Sequence, residues 1–293
     1  MTYRLAIGDR TYSSWSLRGW LLFEKFGIPV KTELVRLYDP GFAAALEPYG
    51  ARLVPAMLTP EGERVGDSLA IAETLHERHP EAGIWPADPA ARARARWLAA
   101  EMHSGFAALR DHATMILSKS YSDSAPPPAV LGDLARIERI WAEARARFGR
   151  ADSPWLLGDY SAADAFYAPV AARIAAYNLP VGAAALDYAA AHLADPAFRR
   201  WRAMGLADGT VQQVYERDYP QRPWPGPAPL PADRCDGPSI NDACPYSGLP
   251  VTDFLRMADG VWGFCNPFCR DKTLADPEAW PAFTALRAAA GPA

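Results

Sequence analysis

The first 234 residues of this 293-residue chain contain no cysteine; all four cysteines, Cys235, Cys244, Cys265 and Cys269, come after them. A thiol nucleophile or a disulfide framework is thereby excluded from the larger part of the molecule. No run of Lys and Arg occurs, and the net charge is −4, so the concentrated basic patch that nucleic-acid binding requires is missing. No segment reaches the roughly 18 apolar residues of a membrane helix. The opening residues, Met1 to Asp9, hold no apolar stretch of signal-peptide length. These absences place the chain in the cytoplasm, with no nucleic-acid or membrane partner. In that compartment thiols stay reduced, and clustered cysteines favour metal or redox roles.

What the chain does have is segmentation. A strip rich in proline, Tyr219-Pro220-Gln221-Arg222-Pro223-Trp224-Pro225-Gly226-Pro227-Ala228-Pro229-Leu230-Pro231, separates the cysteine-free body from the cysteine-bearing tail. Proline fixes φ and supplies no N–H, so the strip reads as a stiff linker rather than a helix or central strand.

Within the body, residues 3–8 form a short apolar run of strand character. Residues 16–26 carry Leu17, Trp20, Leu21, Leu22, Phe23 and Phe26 in a helical rhythm that Gly27 ends. Residues 31–37 alternate as a second strand, residues 53–58 make a third around Pro55, and Val65 opens a fourth. Residues 68–79 are helical. The order is strand-helix-strand followed by strand-strand-helix. From residue 88 the periodicity is purely helical: a helix over 90–116 starting at Asp88-Pro89, a break over 124–128, a helix over 130–148, and another from Ser161. Ser161 and Asp164 have the spacing of a capping box, a structural role. The predicted architecture is an α/β thioredoxin-like domain over 1–82, an all-α helical bundle over 88–218, a proline-rich linker over 219–232, and a small cysteine-containing module over 233–293.

The order of the body, with four local signals, resembles the cytosolic glutathione transferases. The signals are Tyr12-Ser13-Ser14-Trp15-Ser16-Leu17-Arg18 after the first strand, Val54-Pro55, Asp67-Ser68, and Ser161-Ala162-Ala163-Asp164. The resemblance covers roughly residues 3–210 and implies glutathione as cosubstrate, a small electrophilic substrate and a homodimer. A loop that opens a helix offers hydroxyls and free N–H groups at the helix's positive end, where a thiolate is stabilised. The loop is similar to the S-S-x-S-x-R pattern of the serine-type, zeta-like members. That similarity implies that Ser13 donates to the glutathione sulfur, with Ser14 as the alternative. Trp15 stands where those members carry cysteine, which disfavours a maleylacetoacetate isomerase activity. Val54-Pro55 is similar to the family's cis-proline turn, whose preceding residue pairs with the peptide backbone. Asp67-Ser68 is similar to the acidic-residue–serine pair that holds the γ-glutamyl end. His103, Phe106, Arg110 and Met115 are candidates to line the electrophile's side, without assigned roles.

The tail resembles TRASH or YHS modules, small metal-binding units. The resemblance rests on Cys244-Pro245-Tyr246-Ser247-Gly248 and, after a hairpin signal at Ala258-Asp259-Gly260, on Phe264-Cys265-Asn266-Pro267-Phe268-Cys269. Cys265 and Cys269, at i and i+4, are expected to share one helical face. Cys235, Cys244, Cys265 and Cys269 are then the four candidate ligands of a tetrahedral zinc site. Two other functions stay open beside the transferase. One is a non-catalytic scaffold whose tail binds zinc or another metal. The other is a thiol–disulfide oxidoreductase, disfavoured because the first loop has no cysteine.

Overall fold

The computed structural model describes residues 2–291. It divides the chain into two compact units, one of residues 1–193 with 212–225 and one of residues 194–211 with 226–293.

The first unit opens on a mixed four-stranded sheet of order β2-β1-β3-β4. Its strands are β1 (Tyr3–Ile7), β2 (Val30–Leu34), β3 (Ala56–Leu58) and β4 (Arg64–Gly66). β1 and β2 run parallel, so a crossover must join them, and α1 (Ser14–Glu24) supplies it. β3 and β4 are antiparallel additions on the other side of β1. The short α2 (Phe42–Leu46) follows β2, and α3 (Ser68–Arg78) follows β4. This is the thioredoxin-like order read from the sequence. Leu5, Ala6 and Ile7 of β1 are fully buried, as are Leu17, Leu22 and Phe23 of α1. That burial of one strand between helix and sheet is the core of the domain.

The helical part holds α4 (Pro89–Ser104), α5 (Ala107–His112), α6 (Pro128–Phe148), α7 (Ala162–Ala176) and α8 (Ala183–Ala194). The helix expected over 90–116 is broken. α4 stops at Gly105, and Phe106 takes the left-handed conformation, with φ 56°, before α5 begins. A Cβ at Gly105 would stand 2.6 Å from the Glu101 carbonyl oxygen, so glycine is required where the chain leaves the helix. The residues after this break re-aim Arg110, Thr114 and Met115.

α7 is buried on all sides except at Ala175. Its start is fixed by Asp164, fully buried. One carboxylate oxygen accepts the Ser161 N–H at 2.9 Å and hydroxyl at 3.1 Å. The other accepts the Leu156 N–H at 3.1 Å and the Tyr188 hydroxyl at 2.9 Å. The spacing of Ser161 and Asp164 foretold this capping role, and the added bonds to Leu156 and Tyr188 anchor a loop and α8 to the same carboxylate.

His192, in α8, is buried against the rings of Trp155 and Tyr188, with centroids 5.0 and 4.6 Å away. Burial, with the charge of Lys25 adding to it, pushes its pKa down to about 3. The unfolded chain binds a proton at this residue near pH 6.5, and the folded one does not until far lower pH. The stability of the first unit is therefore expected to fall as pH drops below about 6.5, with a slope approaching about 1.4 kcal/mol per pH unit from this residue. Urea midpoints measured across that range should show the slope reduced in His192→Gln. Equal slopes in both proteins would contradict it.

β5 (Ser120–Tyr121) pairs antiparallel with β6 (Gln221–Arg222), so the start of the proline-rich strip adds an edge pair to the first unit. In the second unit, α9 (Pro196–Asp208) belongs with the tail, although its sequence places it in the helical domain. The tail consists of β7 (Asp233–Cys235), β8 (Asp253–Met257), β9 (Gly260–Phe264), α10 (Pro267–Ala275) and α11 (Pro281–Ala290). Its three strands form one antiparallel sheet in chain order. Leu255, Trp262, Phe264 and Phe283 form its core, which Ala203 of α9 joins. Arg199 of α9 clamps Asp276 with two bonds, at 2.7 and 2.8 Å. Among the described residues no helix is long and apolar enough to cross a membrane.

Candidate functional site

The loop between β1 and α1 is shaped by Asp9. Its carbonyl accepts the N–H groups of Tyr12 at 3.0 Å and Ser13 at 2.8 Å, turning the chain into the helix. Its buried carboxylate accepts from Arg36 at 2.8 Å, from the Leu37 N–H at 3.0 Å and from Gln212 at 2.9 Å. Ser13 is the N-cap of α1. Its Oγ accepts the Ser16 N–H at 3.3 Å and donates to Ser16 Oγ at 2.7 Å. Ser16 Oγ in turn accepts the Gly8 N–H at 2.9 Å. Ser14, the first residue of the helix, accepts from Arg173 Nη2 at 3.4 Å.

Opposite this loop stands Val54-Pro55, whose peptide bond is cis. Pro55 packs on α1 at Gly19, where a Cβ would come within 2.8 Å of the proline Cγ. A glycine at that point of the helix lets the proline turn approach the serine loop. Beyond it, Asp67 holds a positive φ of 74° as N-cap of α3. One of its carboxylate oxygens accepts the Leu69 N–H at 2.7 Å, and the other pairs with His103 Nε2 at 3.2 Å. The hydroxyl of Ser68 is buried, with no hydrogen-bond partner among the described residues. An orphaned hydroxyl at a helix N-terminus is a ready acceptor or donor for a polar ligand.

Ser13, Ser14, Val54, Pro55, Asp67 and Ser68 all line one cleft of about 1010 Å³. The structure thus brings together six residues separated by up to 55 positions. Tyr215 and Tyr38 line it as well; the Tyr12 and Tyr215 rings stack at 5.0 Å, and the Tyr38 hydroxyl donates to that of Tyr215 at 3.3 Å. Of the four residues suggested for the electrophile's side, Arg110 and Met115 line the cleft. His103 instead holds Asp67, and its ring meets Trp15 edge-on at 4.9 Å. Phe106 is buried at the helix break.

Three arginines near the serine loop escaped the sequence reading as a group. Arg18 is fully buried, its guanidinium 4.5 Å from the Trp15 ring centroid and 5.4 Å from that of Phe166. None of its three side-chain nitrogens has a hydrogen-bond partner among the described residues. Burial, then the like charges of Arg173 and Arg110, bring its pKa down to about 9. Arg173 is held by the carbonyls of Ala113 at 2.7 Å and Pro169 at 3.3 Å, and burial lowers its pKa to about 10. The sequence marks Arg18 as the last residue of the serine motif and Arg110 as a candidate for the electrophile's side, but nothing in it joins either to Arg173. Arg173 lies 159 positions from Ser14, and only folding reveals the pair.

In the second unit, the Sγ atoms of Cys244, Cys265 and Cys269 lie within 4.8 Å of one another. Tetrahedral zinc with Zn–S near 2.3 Å needs sulfurs about 3.8 Å apart, so the triad fits after small adjustments. Cys244 leads a tight turn whose Gly248, at φ 70°, donates to the Cys244 carbonyl at 2.9 Å. Cys269 lies in α10, which Asn266 caps at 2.8 Å through the Cys269 N–H. Cys265 sits ahead of that helix, at the end of the β8–β9 hairpin, so the expected shared helical face does not exist. The thiols meet because the hairpin end and the first turn of α10 converge. Cys235 pairs with Phe254 in the β7–β8 ladder, and its sulfur is not among the three gathered thiols.

Burial pushes the Cys244 thiol up, but hydrogen bonds from the Tyr246 and Cys265 backbone and from the Ser247 and Cys265 side chains outweigh it, leaving a pKa of about 7. Burial raises Cys269 to about 12, Lys272 opposes the rise, and the other two sulfurs add to it. Three thiols packed together with no carboxylate in the group form a donor set that suits a soft cation.

Residues 12–78 match the family model described as glutathione S-transferase, N-terminal domain. No curated protein matches the chain. Among solved structures, a glutathione transferase homolog from Burkholderia, with bound glutathione, is 23% identical, with TM-score 0.52 over 70% of this chain and 99% of that one. Glutathione transferase Omega 2S from Trametes versicolor is 21% identical, with TM-score 0.54 over 73% of this chain and 99% of that one. A glutathione transferase from Methylococcus capsulatus is 21% identical, with TM-score 0.53 over 70% of this chain and 98% of that one. The chain carries a glutathione-transferase-like fold, built on a thioredoxin-like domain followed by helices.

Proposed function

We propose that the protein is a glutathione-dependent transferase acting on a small electrophile. The observation that carries this is the convergence of the serine loop, the cis-proline turn and the Asp67-Ser68 helix start on one cleft. Asp67 offers a carboxylate to the γ-glutamyl ammonium, while the α3 N–H groups and the orphaned Ser68 hydroxyl face its carboxylate. The backbone at Val54 meets the peptide. The sulfur then lies at the N-terminus of α1, where the helix dipole favours the thiolate.

Ser13 is the hydroxyl assigned to the sulfur. In the free protein it donates to Ser16, whose own position is held by the Gly8 N–H. Reversing the Ser13–Ser16 bond lets Ser16 donate to Ser13 Oγ and frees the Ser13 proton for the thiolate. Ser14, polarised by Arg173, is the second candidate. Attack of the thiolate on an electrophilic carbon forms the thioether, with the displaced group or an opened ring taking the electrons. Turnover of a small aryl halide should require glutathione and collapse in Ser13→Ala.

The second unit supports a separate proposal: Cys244, Cys265 and Cys269 bind a soft metal ion, zinc in the first place, as a structural centre. If the cleft proved inert toward glutathione, this centre would leave the protein a metal-binding scaffold with a transferase-like fold.

A further inference from the structure

The cleft has two chemically different sides. The wall formed by Val54, Asp67 and Ser68 suits a zwitterionic peptide, and the serine loop marks where its sulfur would lie. On the other side, past Ser14 and Trp15, the lining is Arg110, Thr114, Met115 and Arg173.

The charge on that side is one-signed at depth. Arg173 uses its nitrogens on the Ala113 and Pro169 carbonyls and Ser14 Oγ, none of them anionic. Arg110 lines the cleft half-buried, its guanidinium 5.9 Å from the Trp15 ring centroid. Neither arginine makes an ion pair among the described residues. Behind them Arg18 adds a third guanidinium, fully buried and without hydrogen bonds. The acidic residues of the cleft make no ion pair with Arg110 or Arg173: Asp67 lies against His103 and its charge reaches only Arg18 behind them, Asp39 bonds the Gly41 N–H at 2.7 Å, and Asp111 is exposed. Burying like charges together without a counterion opposes folding, so a site that keeps them gains most when an anion enters. Guanidinium groups suit carboxylates in particular, because the planar fork matches two oxygens.

We infer that the electrophile carries a carboxylate, which Arg110 and Arg173 bind on the side of the cleft beyond the reacting carbon, so that this side selects anionic over neutral substrates. The inference rests on the transferase reading, since the glutathione sulfur marks where the reacting carbon must be. Arg173 fixes the near end, beside Ser14, and Arg110 is the arm that closes on the outer oxygen. Trp15, between Arg110 and Arg18, gives the substrate's apolar part a flat surface.

The test uses two glutathione S-conjugates that differ only in one group, S-benzylglutathione and its para-carboxylated counterpart, titrated into the full chain by calorimetry. The wild-type protein is expected to favour the carboxylated conjugate by about tenfold or more at moderate salt. Arg110→Gln should bring the two affinities together. Arg173→Lys, which keeps the charge but loses the fork, should reduce the preference without abolishing it; circular dichroism checks that this buried site still folds. Equal affinities in the wild type, or a preference that survives Arg110→Gln, overturn the inference while leaving the transferase reading intact. A loss of affinity for unmodified glutathione as large as that for the carboxylated conjugate also overturns it, because the arginines would then hold the peptide. Failure of the wild type to bind either conjugate or glutathione removes both readings together.

Discussion

Ser13→Ala is expected to lower turnover with glutathione by about tenfold to a hundredfold, the cost of removing one hydrogen bond to a charged sulfur. The lost rate should come from thiolate population. Titrating the ultraviolet absorbance of bound thiolate should show the variant's thiol moving back toward its ordinary value near 8.5. Two effects of the substitution must be separated. Ser13 also caps α1 through the Ser16 N–H, and losing a cap costs about 1 kcal/mol of stability. A merely structural role would move the unfolding midpoint and leave the thiol's titration where it was. Ser13→Thr, which keeps the hydroxyl, should recover part of the rate. Ser14→Ala serves as the comparison, because Ser14 lines the same cleft under the hand of Arg173. A larger loss in Ser14→Ala than in Ser13→Ala would transfer the sulfur to Ser14.

Cys244→Ser is expected to reduce bound metal from about one ion per chain to none and to unfold the second unit at lower temperature. The size of the effect follows from what else holds that unit. Its core is small: Leu255, Trp262, Phe264 and Phe283 are its largest deeply buried side chains. Ion pairs such as Arg270 with Asp253 at 2.8 Å and Arg234 with Asp271 at 3.0 Å are partly exposed and contribute little each. A metal bound only by the folded state adds its whole binding free energy, so losing it should cost several kcal/mol. A strong chelator added to the wild type should give the same lowered transition. Cys235→Ser, by contrast, should keep the metal, because Cys235 lies outside the thiol cluster. Elemental analysis of the purified proteins with calorimetric scans reads all three results. Metal retained in Cys244→Ser would contradict the proposed ligand set.

The fold of the body was legible because its signals are local. Strand periods, the helical rhythm that Gly27 ends and the Ser161–Asp164 box each depend on residues a few positions apart, and the structure bears out the thioredoxin-like domain followed by helices. The break at Gly105 was missed because residues 90–116 keep a helical composition throughout. What stops the helix is one glycine and one left-handed Phe106, a detail of geometry that periodicity does not record. The grouping of α9 with the tail was equally hidden. Its amphipathic pattern shows that one face is covered, but not that Asp276 and Ala203's neighbours in the tail are what cover it.

The cleft was half legible. Ser13-Ser14, Val54-Pro55 and Asp67-Ser68 sit in short motifs, whereas the Asp9 bonds to Arg36 and Gln212 and the Arg173 bond to Ser14 join distant segments. In the tail, the spacing of Cys265 and Cys269 suggested a helix face. A proline at 267 and the cap at Asn266 start the helix two residues past Cys265, which leaves that thiol outside it.

The central claim is that the cleft binds glutathione and ionises it. Calorimetric titration of glutathione into the full-length protein, repeated at two pH values, tests it most directly. Saturable binding in the micromolar to low millimolar range is expected, with proton release near neutral pH as the thiol ionises on binding. No saturable heat at any temperature tried would contradict the claim and leave the thiol cluster of the second unit as the place to look for the protein's role.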